Sequence, residues 1–185
     1  MESADEIALK VTEAGGSVVV EAFDLLDAGR MAVVAGPGGA VFGLWQPEEH
    51  RGAEVVNEQG AWAMSMLNTR DPEGAKAFYG AVFGWETDMF GEVALWRLPG
   101  YVGGEPSQPV PRDVIGVTVP MSEDGSTPPH WSVNFWVADA DATANAAEKL
   151  GGAMVVPPFD TEISRDAVIA DPQGAVFSVS TVPGP

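Results

Sequence analysis

Apolar residues recur along one side of a predicted helix in the segment TRDPEGAKAFYGAVFGWE. Four of them follow one another at helical spacing: Ala75, Phe78, Val82 and Trp85. Asp71 is placed to cap the helix, and Pro72 suits its first turn, where no backbone donor is needed. Gly84 permits the chain to leave the helix in a left-handed conformation. The pattern therefore predicts an amphipathic helix that begins after Asp71 and ends at about Gly84.

Two stretches of the chain repeat each other with one single-residue gap. Residues 14–42 align with residues 150–177, and both contain GAVF after a proline-containing turn. Each copy predicts a short helix that ends in a Gly-Gly pair, followed by three short β-strands. In the second copy, Asp139 or Asp141 begins the helix. The turns GPGG and DPQG are typical of tight connections between antiparallel strands. We interpret the similarity as a structural repeat.

The order strand, helix, three strands occurs twice after the first copy. It covers residues 61–121 and again residues 131–182. The N-terminal segment predicts a helix and three strands without an opening strand. We therefore expect a partial module in residues 1–57 and a complete two-module domain in residues 58–185. A long segment rich in Gly, Pro and Ser, at about residues 99–112, predicts a loop.

Composition limits the classes of partner. Of 185 residues, 27 are acidic and 9 are basic, so the formal net charge is −18. This charge repels phosphate backbones and anionic lipids, and we expect no nucleic-acid or membrane partner. It would attract a cationic ligand, although an acidic surface also serves solubility alone. Because the chain has no cysteine, disulfides and thiolate chemistry are excluded. A secretory signal and a long apolar run are absent from the sequence, which favours a cytoplasmic protein.

The motifs resemble those of a known superfamily. DPEGAKAFYGAVFGWE, followed by a helix ending in KLGG and then by VPPFD and ADPQGAVF, resembles the vicinal oxygen chelate superfamily. This superfamily includes glyoxalase I, bleomycin-resistance proteins and extradiol dioxygenases. The resemblance extends from Ala61 to Val182, with the N-terminal segment as a partial copy. It implies an α+β fold in which paired βαβββ modules form a curled mixed sheet around a cleft.

In the metal-using branches of that superfamily, ligands lie on the strands that face the cleft, typically a His on a module's first strand and a Glu on its last. The resemblance places Met64, Ser132 and Ser178 at three of these positions. The remaining strand, VIGVTVPM, offers no acid or imidazole. Thioether and hydroxyl groups are poor ligands for Zn, Ni, Fe or Mn. We therefore predict no metal and no other cofactor.

Strand alternation predicts a ligand-binding face. Its residues are Trp62, Met64, Met66, Ser132, Asn134, Trp136 and Ser178. Two tryptophans, two methionines and a few small polar groups suit a flat apolar or aromatic ligand, and tryptophan also attracts cations. The alternative is that these side chains fill a closed core.

His130 is the candidate general base, because it begins the strand that carries Ser132 and shares its face. The alternative is a partly exposed histidine at a strand end, bonded to backbone or solvent. His50 lies in the charged segment QPEEHRG, and we expect it to be solvated.

Three functions remain open from the sequence. The first is a metal-free small-molecule binder of the sequestration or resistance type. The second is an enzyme of the same fold, a lyase, dioxygenase or isomerase. It would use a metal, or would use His130 or a buried carboxylate such as Asp160 as a base. The third is an assembly module without catalysis.

The partial N-terminal module predicts an unpaired edge and an apolar face that includes Phe42, Leu44 and Trp45. We expect two chains to pair through these units as a homodimer. The alternative is a chain whose true start lies upstream.

Overall fold

The computed structural model describes residues 3–91, 93–103, 112–123 and 125–181. Most of the predicted loop at 99–112 lies outside them, since residues 104–111 are not described. The helices are α1 (Ala4–Glu13), α2 (Pro72–Phe83) and α3 (Ala140–Lys149). The strands are β1 (Ser17–Leu25), β2 (Gly29–Ala35), β3 (Val41–Pro47), β4 (Trp62–Thr69), β5 (Glu86–Phe90), β6 (Val93–Arg97), β7 (Val114–Pro120), β8 (His130–Trp136), β9 (Ala153–Asp160), β10 (Arg165–Ala170) and β11 (Val176–Thr181). This α+β order confirms the predicted module pattern.

Each helix begins at a polar cap. Ser3, Asp71 and Asp139 accept a hydrogen bond from the backbone N–H three residues later, at 3.2, 2.8 and 2.9 Å. The bonds satisfy donors that the first helical turn leaves free. The cap of α3 is thus Asp139 and not Asp141. Gly84 ends α2 in the left-handed region, with φ at 69°.

The chain forms two compact units. The first contains Met1–Glu54, Leu67–Tyr101 and Ile115–Trp131. The second contains Val55–Met66, Val102–Val114 and Ser132–Pro185. Strands β4 and β8 therefore each contribute residues to both units.

The first unit holds a small antiparallel sheet and most of the first complete module. The small sheet has the strand order β1-β2-β3, and the module's strands run in the order β5-β6-β7-β4. The core of this unit joins α1, α2 and both sets of strands. Its largest buried members are Val11, Val34, Leu44, Leu67, Phe78, Tyr79, Val82 and Trp96.

The second unit holds the last module, in which the strands run in the order β8-β11-β10-β9. Strand β11 pairs parallel with β8 and antiparallel with β10. A smaller core lies between α3 and these strands, built from Ala140, Ala144, Ala167, Ile169 and Val179.

The sequence repeat is also a repeat of contacts. In each copy one arginine joins the helix to the first hairpin: Arg30 bonds Asp5 and Asp24, and Arg165 bonds Asp141 and Asp160. The hydrogen bond from Arg30 holds the pKa of Asp5 below its ordinary value, and that from Arg165 does the same for Asp141. The two copies are therefore folded by the same local interactions.

The prediction that Phe42 and Leu44 belong to an exposed apolar face is wrong. Leu44 is 1% exposed, and Phe42 packs against Phe78 and Tyr79 with ring centroids 6.4 and 5.6 Å apart. Alternation on β3 turns these two side chains towards α1 and α2. Trp45, the third residue of the predicted apolar face, lies on the opposite side of β3, where its indole ring packs over Gly29.

Among the described residues, no helix is long and apolar enough to cross a membrane.

Candidate functional site

The predicted ligand-binding face lies within the second unit, on the first half of β4, the second half of β8 and β11. The backbone of Trp136 bonds to the two residues before Trp62, at 2.8 and 3.2 Å. The Ser132 hydroxyl reaches the Met66 carbonyl at 3.5 Å. These bonds make β4 antiparallel to β8. They bring Met66 close to Ser132, and they place Trp136 next to the two residues that precede Trp62.

A buried polar cluster occupies the centre of this face. Parallel pairing places Ser178 beside Asn134, and Ser180 beside Trp136. The Asn134 Nδ2 donates to the Oγ atoms of Ser178 and Ser180, at 2.9 and 2.7 Å. The Ser178 Oγ in turn donates to the Val133 carbonyl at 3.2 Å. Asn134, Ser178 and Ser180 are 6%, 5% and 8% exposed, and we call them the polar triad.

The polar triad keeps some bonding capacity. The amide nitrogen of Asn134 donates within the triad, and the hydroxyl proton of Ser178 is donated to the Val133 carbonyl, so these donors are already used. Within the described part of the chain, the Asn134 Oδ1 and the Ser180 hydroxyl proton have no assigned partner. An amide oxygen accepts and a hydroxyl donates. The triad can therefore offer one acceptor and one donor to a ligand that carries hydroxyl or carbonyl groups.

The apolar side chains of this face are less buried than those on the helix-facing side of the strands. Trp62, Met64, Met66 and Trp136 are half-buried. Leu67, on the other side of β4, is 2% exposed. A closed core would bury both sides alike, so this difference favours an accessible face. The role of these residues in binding stays a prediction.

The helix-facing side is held by aromatic contacts. The Trp131 Nε1 donates to the Tyr79 hydroxyl at 2.8 Å. Burial raises the pKa of Tyr79 to about 12, and the hydrogen bond from Trp131 opposes this only in part. Phe135 packs edge-on against Phe177 with centroids 5.7 Å apart. These contacts fix which way β8 and β11 turn their remaining side chains.

The two proposed bases have different surroundings. The His130 Nδ1 lies 2.9 Å from the Pro128 carbonyl, which can only accept, so Nδ1 is the donor in this bond. Asp160 is 78% exposed and pairs with Arg165 at 3.1 Å. The prediction of Asp160 as a buried carboxylate base is therefore wrong, because it lies on an open hairpin and not in the core.

The side chains at the superfamily's metal positions do not fit a transition metal. Met64 offers a thioether and Ser132 a hydroxyl, and the Ser178 hydroxyl is already bonded to Asn134 and to Val133. In the described ranges, no group of three or more His, Asp or Glu residues could hold a metal ion. Zn and Mn prefer imidazole and carboxylate ligands.

Two of the described buried polar residues, which were not identified from the sequence, each carry an unpaired side-chain oxygen. Thr118 on β7 is 2% exposed and Asn57 is 7% exposed. In the described part of the chain, the Thr118 Oγ1 and the Asn57 Oδ1 lack a hydrogen-bond partner. Such atoms favour a bound water or ligand group, since an unpaired buried acceptor is costly. The single polar residue in the apolar run VIGVTVP was the available signal for Thr118.

A separate recess lies in the first unit, at the start of α2. Gly36, Pro37, Thr69, Asp71 and Phe78 are among its lining residues, and its volume is about 40 Å³. Pockets for aromatic ligands occupy hundreds of Å³, so this recess is too small to hold one.

Residues 64–180 match the family model described as "Glyoxalase-like domain". A protein named "Putative glyoxylase CFP32" from Mycobacterium tuberculosis is 40% identical over 97% of this chain and 66% of its own length. The "Anthracycline biosynthesis protein DauV" of Streptomyces sp. strain C5 is 36% identical over 95% of this chain and 61% of its own length. The chain thus spans about two thirds of the length of these relatives or less.

Among solved structures, the Mn(II)-bound glyoxalase from Novosphingobium aromaticivorans has a TM-score of 0.57 with this chain. The match covers 97% of this chain and 60% of that one, at 16% identity. At this identity the likeness shows the fold alone. It confirms the expected architecture of βαβββ modules.

Proposed function

Since the chain belongs to the glyoxalase-like family of the vicinal oxygen chelate superfamily, we propose that it binds a flat aromatic small molecule without a metal ion. The biological role is sequestration of, or resistance to, that molecule. The ligand carries hydroxyl or carbonyl groups on its edge and, in one variant of the proposal, a positive charge.

The polar triad is the observation that carries the proposal. One of its members, Ser178, occupies the last-strand position at which the resemblance expects a metal ligand in metal-using members of the superfamily. The hydrogen bonds at 2.9 and 2.7 Å hold the Asn134 amide rigidly, so its free oxygen has one fixed direction. A rigid neutral acceptor beside a hydroxyl donor selects polar atoms at defined positions, and it supplies orientation without a metal.

The neighbouring side chains supply the apolar part of the site. Trp62 and Trp136 lie on adjacent strands and are half-buried. Such indoles can stack on an aromatic ring system, and Met64 and Met66 can adapt to its outline. The net charge of −18 raises the local concentration of a cationic ligand.

A relative named for anthracycline biosynthesis points to one class of probe. Anthracyclines combine a planar fused-ring system with hydroxyl and keto groups and an amino sugar. These are the chemical features that the face would recognise. An anthracycline and an uncharged hydroxyanthraquinone therefore separate the contribution of the rings from that of the positive charge.

The test is a titration of intrinsic tryptophan fluorescence with these two compounds. We expect saturable quenching that Asn134→Leu weakens by about tenfold in Kd, because the variant removes the acceptor and leaves two hydroxyls without their donor. Trp45→Phe is the matched control, since Trp45 lies on the outer face of the N-terminal sheet. The Trp45→Phe variant should have a lower fluorescence before ligand is added, and its Kd for the ligand should equal that of the wild-type chain.

Circular dichroism establishes that each variant is folded before the titration. The absence of saturable quenching with both compounds would contradict the proposal for this ligand class. An equal loss of affinity in Asn134→Leu and in Trp45→Phe would place the binding surface elsewhere.

An enzymatic function is the second candidate, and the hydrogen bond of His130 favours it. Because Nδ1 donates to the Pro128 carbonyl, Nε2 is the ring nitrogen left to act as a base whenever the imidazole is neutral. The assay follows the hemithioacetal of methylglyoxal and glutathione, with and without added Zn, Ni or Mn. Turnover that His130→Gln abolishes, in protein shown to be metal-free, would support this function. Turnover that depends on added metal would contradict the metal-free site.

A further inference from the structure

The side chain of Asn57 is a buried amide that the fold does not use. Asn57 is 7% exposed, so more than nine-tenths of its surface is buried. Within the described residues, its Oδ1 atom is fully buried without a partner, and its Nδ2 atom makes no hydrogen bond either. Buried amides are normally paired, because an unpaired polar atom away from water is costly. Both ends of this amide are therefore free to bind a group from outside the chain.

The backbone of Asn57 is also in an uncommon conformation. Its φ angle is 58°, in the left-handed region. Of the residues that the structure describes, Leu26 and Asn57 are the two with a positive φ that are not glycine. Leu26 is 89% exposed in a hairpin turn, whereas Asn57 is buried. Residues held in this region are concentrated at sites that bind ligands.

Backbone hydrogen bonds place Asn57 at the tryptophan end of the predicted ligand-binding face. Its N–H bonds to the Trp62 carbonyl at 2.8 Å. In the turn that follows, the Gly60 N–H bonds to the Trp136 carbonyl at 2.8 Å, and the Trp136 N–H bonds to the Ala61 carbonyl at 3.2 Å. All of these residues belong to the second unit. The unused amide thus lies at the end of the face that carries both tryptophans.

The groups at this end of the face suit a positively charged donor. An amide oxygen accepts hydrogen bonds, and indole rings attract cations. Residues 57–61 include one acidic residue, Glu58, and no basic residue. The polar triad differs, since it offers an acceptor and a donor that suit hydroxyl or carbonyl groups.

We infer that Asn57, Trp62 and Trp136 form a subsite for an amino group of the ligand, in which the Asn57 oxygen accepts a hydrogen bond from the ammonium. This inference rests on the proposed function, because the subsite is part of the same face. It assigns the positive charge, which is one variant of that proposal, to a defined place on the face.

The amide can present its oxygen to a ligand without a change in the backbone. The Cβ–Cγ torsion of asparagine has broad, roughly two-fold preferences. A half-turn about this bond exchanges Oδ1 with Nδ2, which is not among the fully buried atoms. The buried end of the amide is unpaired in both orientations, so a hydrogen bond to the ligand is a net gain. Binding of an ammonium group would select the orientation with the oxygen outward.

The affinities of two matched probes test the inference. One probe is a hydroxyanthraquinone with an aminoalkyl side chain, and the other is its N-acetyl derivative, which keeps the rings and lacks the charge. Titration calorimetry of the wild-type chain should give a Kd about tenfold lower for the amine. Asn57→Gly should reduce this preference to about threefold, because the oxygen is lost while the indole rings remain.

Two further variants serve as controls. Leu26→Gly replaces the other non-glycine residue with a positive φ, which belongs to the first unit, and it should leave both Kd values unchanged. Asn57→Asp keeps an acceptor in a side chain of the same shape, so it should keep the preference for the amine. Glycine adopts a positive φ without strain, and we therefore expect both glycine variants to fold.

The outcomes separate this inference from the proposed function. If neither probe binds to the wild-type chain, the proposed function fails and the subsite fails with it. If the wild-type chain binds both probes with the same Kd, the subsite alone is overturned. The same holds if Asn57→Gly weakens the binding of both probes by the same factor.

Urea denaturation without a ligand gives a second check. Because the fold makes no hydrogen bond to the Asn57 amide within its described residues, Asn57→Gly should lower the urea midpoint no more than Leu26→Gly does. A clearly larger fall would show that the Asn57 side chain is already bonded in the free chain, to a buried water for example. That result would overturn the inference.

Discussion

The N-terminal copy of the repeat, α1 to β3, and the C-terminal copy, α3 to β11, share their fold and differ in their chemistry. Both place a glycine at φ 90° after the helix, Gly15 in the first and Gly151 in the second. Both join helix and hairpin through one arginine. The difference lies on the last strand, where Ser178 and Ser180 of the polar triad correspond to Gly43 and Trp45.

The comparison separates residues that build the module from residues that give it a function. Glycine, arginine and the buried aliphatic positions recur because each copy needs the same turn, ion pair and core. The positions on the open side of the sheet are free to change, since they do not hold the helix. One copy carries a hydrogen-bonding cluster, and the other carries an apolar surface and an unpaired edge. A shared fold therefore does not predict a shared site.

The largest expected effect comes from the cores of the two copies. Leu44 and Val179 occupy equivalent strand positions, and each is 1% exposed. Leu44→Ala should lower the free energy of unfolding by about 3 kcal/mol and Val179→Ala by about 2 kcal/mol, through lost burial and the cavity left behind. Urea denaturation gives both values. Hydrogen exchange should show the loosening of α1 in the first variant and of α3 in the second.

Two results would contradict this equivalence. If Leu44→Ala costs less than Val179→Ala, the N-terminal copy is less tightly packed than its contacts indicate. If either variant loosens both helices to the same extent, the two cores do not act as separate clusters.

A smaller effect should distinguish the copies at high pH. Phe42 of the N-terminal copy packs on Tyr79, whereas its counterpart Phe177 packs on Phe135, which cannot ionise. The pKa of Tyr79 is raised from 10 in the unfolded chain to about 12. The stabilisation from its neutral form is therefore complete below pH 10 and is lost as pH rises towards 12. We expect a loss of about 2 to 3 kcal/mol over this interval.

Urea denaturation between pH 9 and 12 measures this change, and Tyr79→Phe is the control. The variant lacks the acceptor for Trp131, so its starting stability is lower, but this part of its pH dependence should be absent. Identical pH profiles for the two proteins would show that Tyr79 does not ionise in this interval or contributes nothing when it does. Hydrogen exchange over the same pH range reports on the individual helices. If the amides of α3 lost their protection before those of α1, the expected difference between the two copies would be reversed.

Much of the fold could be predicted because local signals and the repeat agree. Asp71, Pro72 and Gly84 determine the ends of α2, and GAVF in both copies identifies corresponding strands. The module pattern predicts three strands after α2, but the sequence did not locate β5, Glu86–Phe90, because its alternation is too polar to indicate a buried strand. Its pairing with β6 supplies the stabilisation that its own composition does not.

The site was less predictable, because its groups meet only through strand pairing. Alternation assigned Asn134 and Ser178 to one face, but the bond between them depends on the parallel register of β8 and β11. The same limit explains the error for Leu44. The sequence of an apolar strand has apolar residues on both faces, so the pattern does not show which face is buried. Only the position of α1 shows this. Ion pairs such as that of Asp160 also depend on hairpin geometry, which one sequence does not specify.

The smallest expected effect concerns the arginine contacts that both copies share. The hydrogen bond from Arg30 lowers the pKa of Asp5, and that from Arg165 lowers the pKa of Asp141. Each pair therefore contributes stability above pH 3.8, which is lost as pH falls through the lowered pKa of the folded chain. Because the carboxylates are exposed to solvent, the change in unfolding free energy should be smaller than those above.

NMR titration of the side-chain carboxyl carbons measures the effect directly. Arg30→Gln should return the pKa of Asp5 towards its ordinary value and leave that of Asp141 unchanged, and Arg165→Gln should do the reverse. Each variant thus serves as the control for the other. If Arg165→Gln raises the pKa of Asp141 while Arg30→Gln leaves that of Asp5 unaltered, the first copy does not use its arginine as the second does. The equivalence of the two copies would then hold for the backbone and the core but not for the ion pairs that join helix to hairpin.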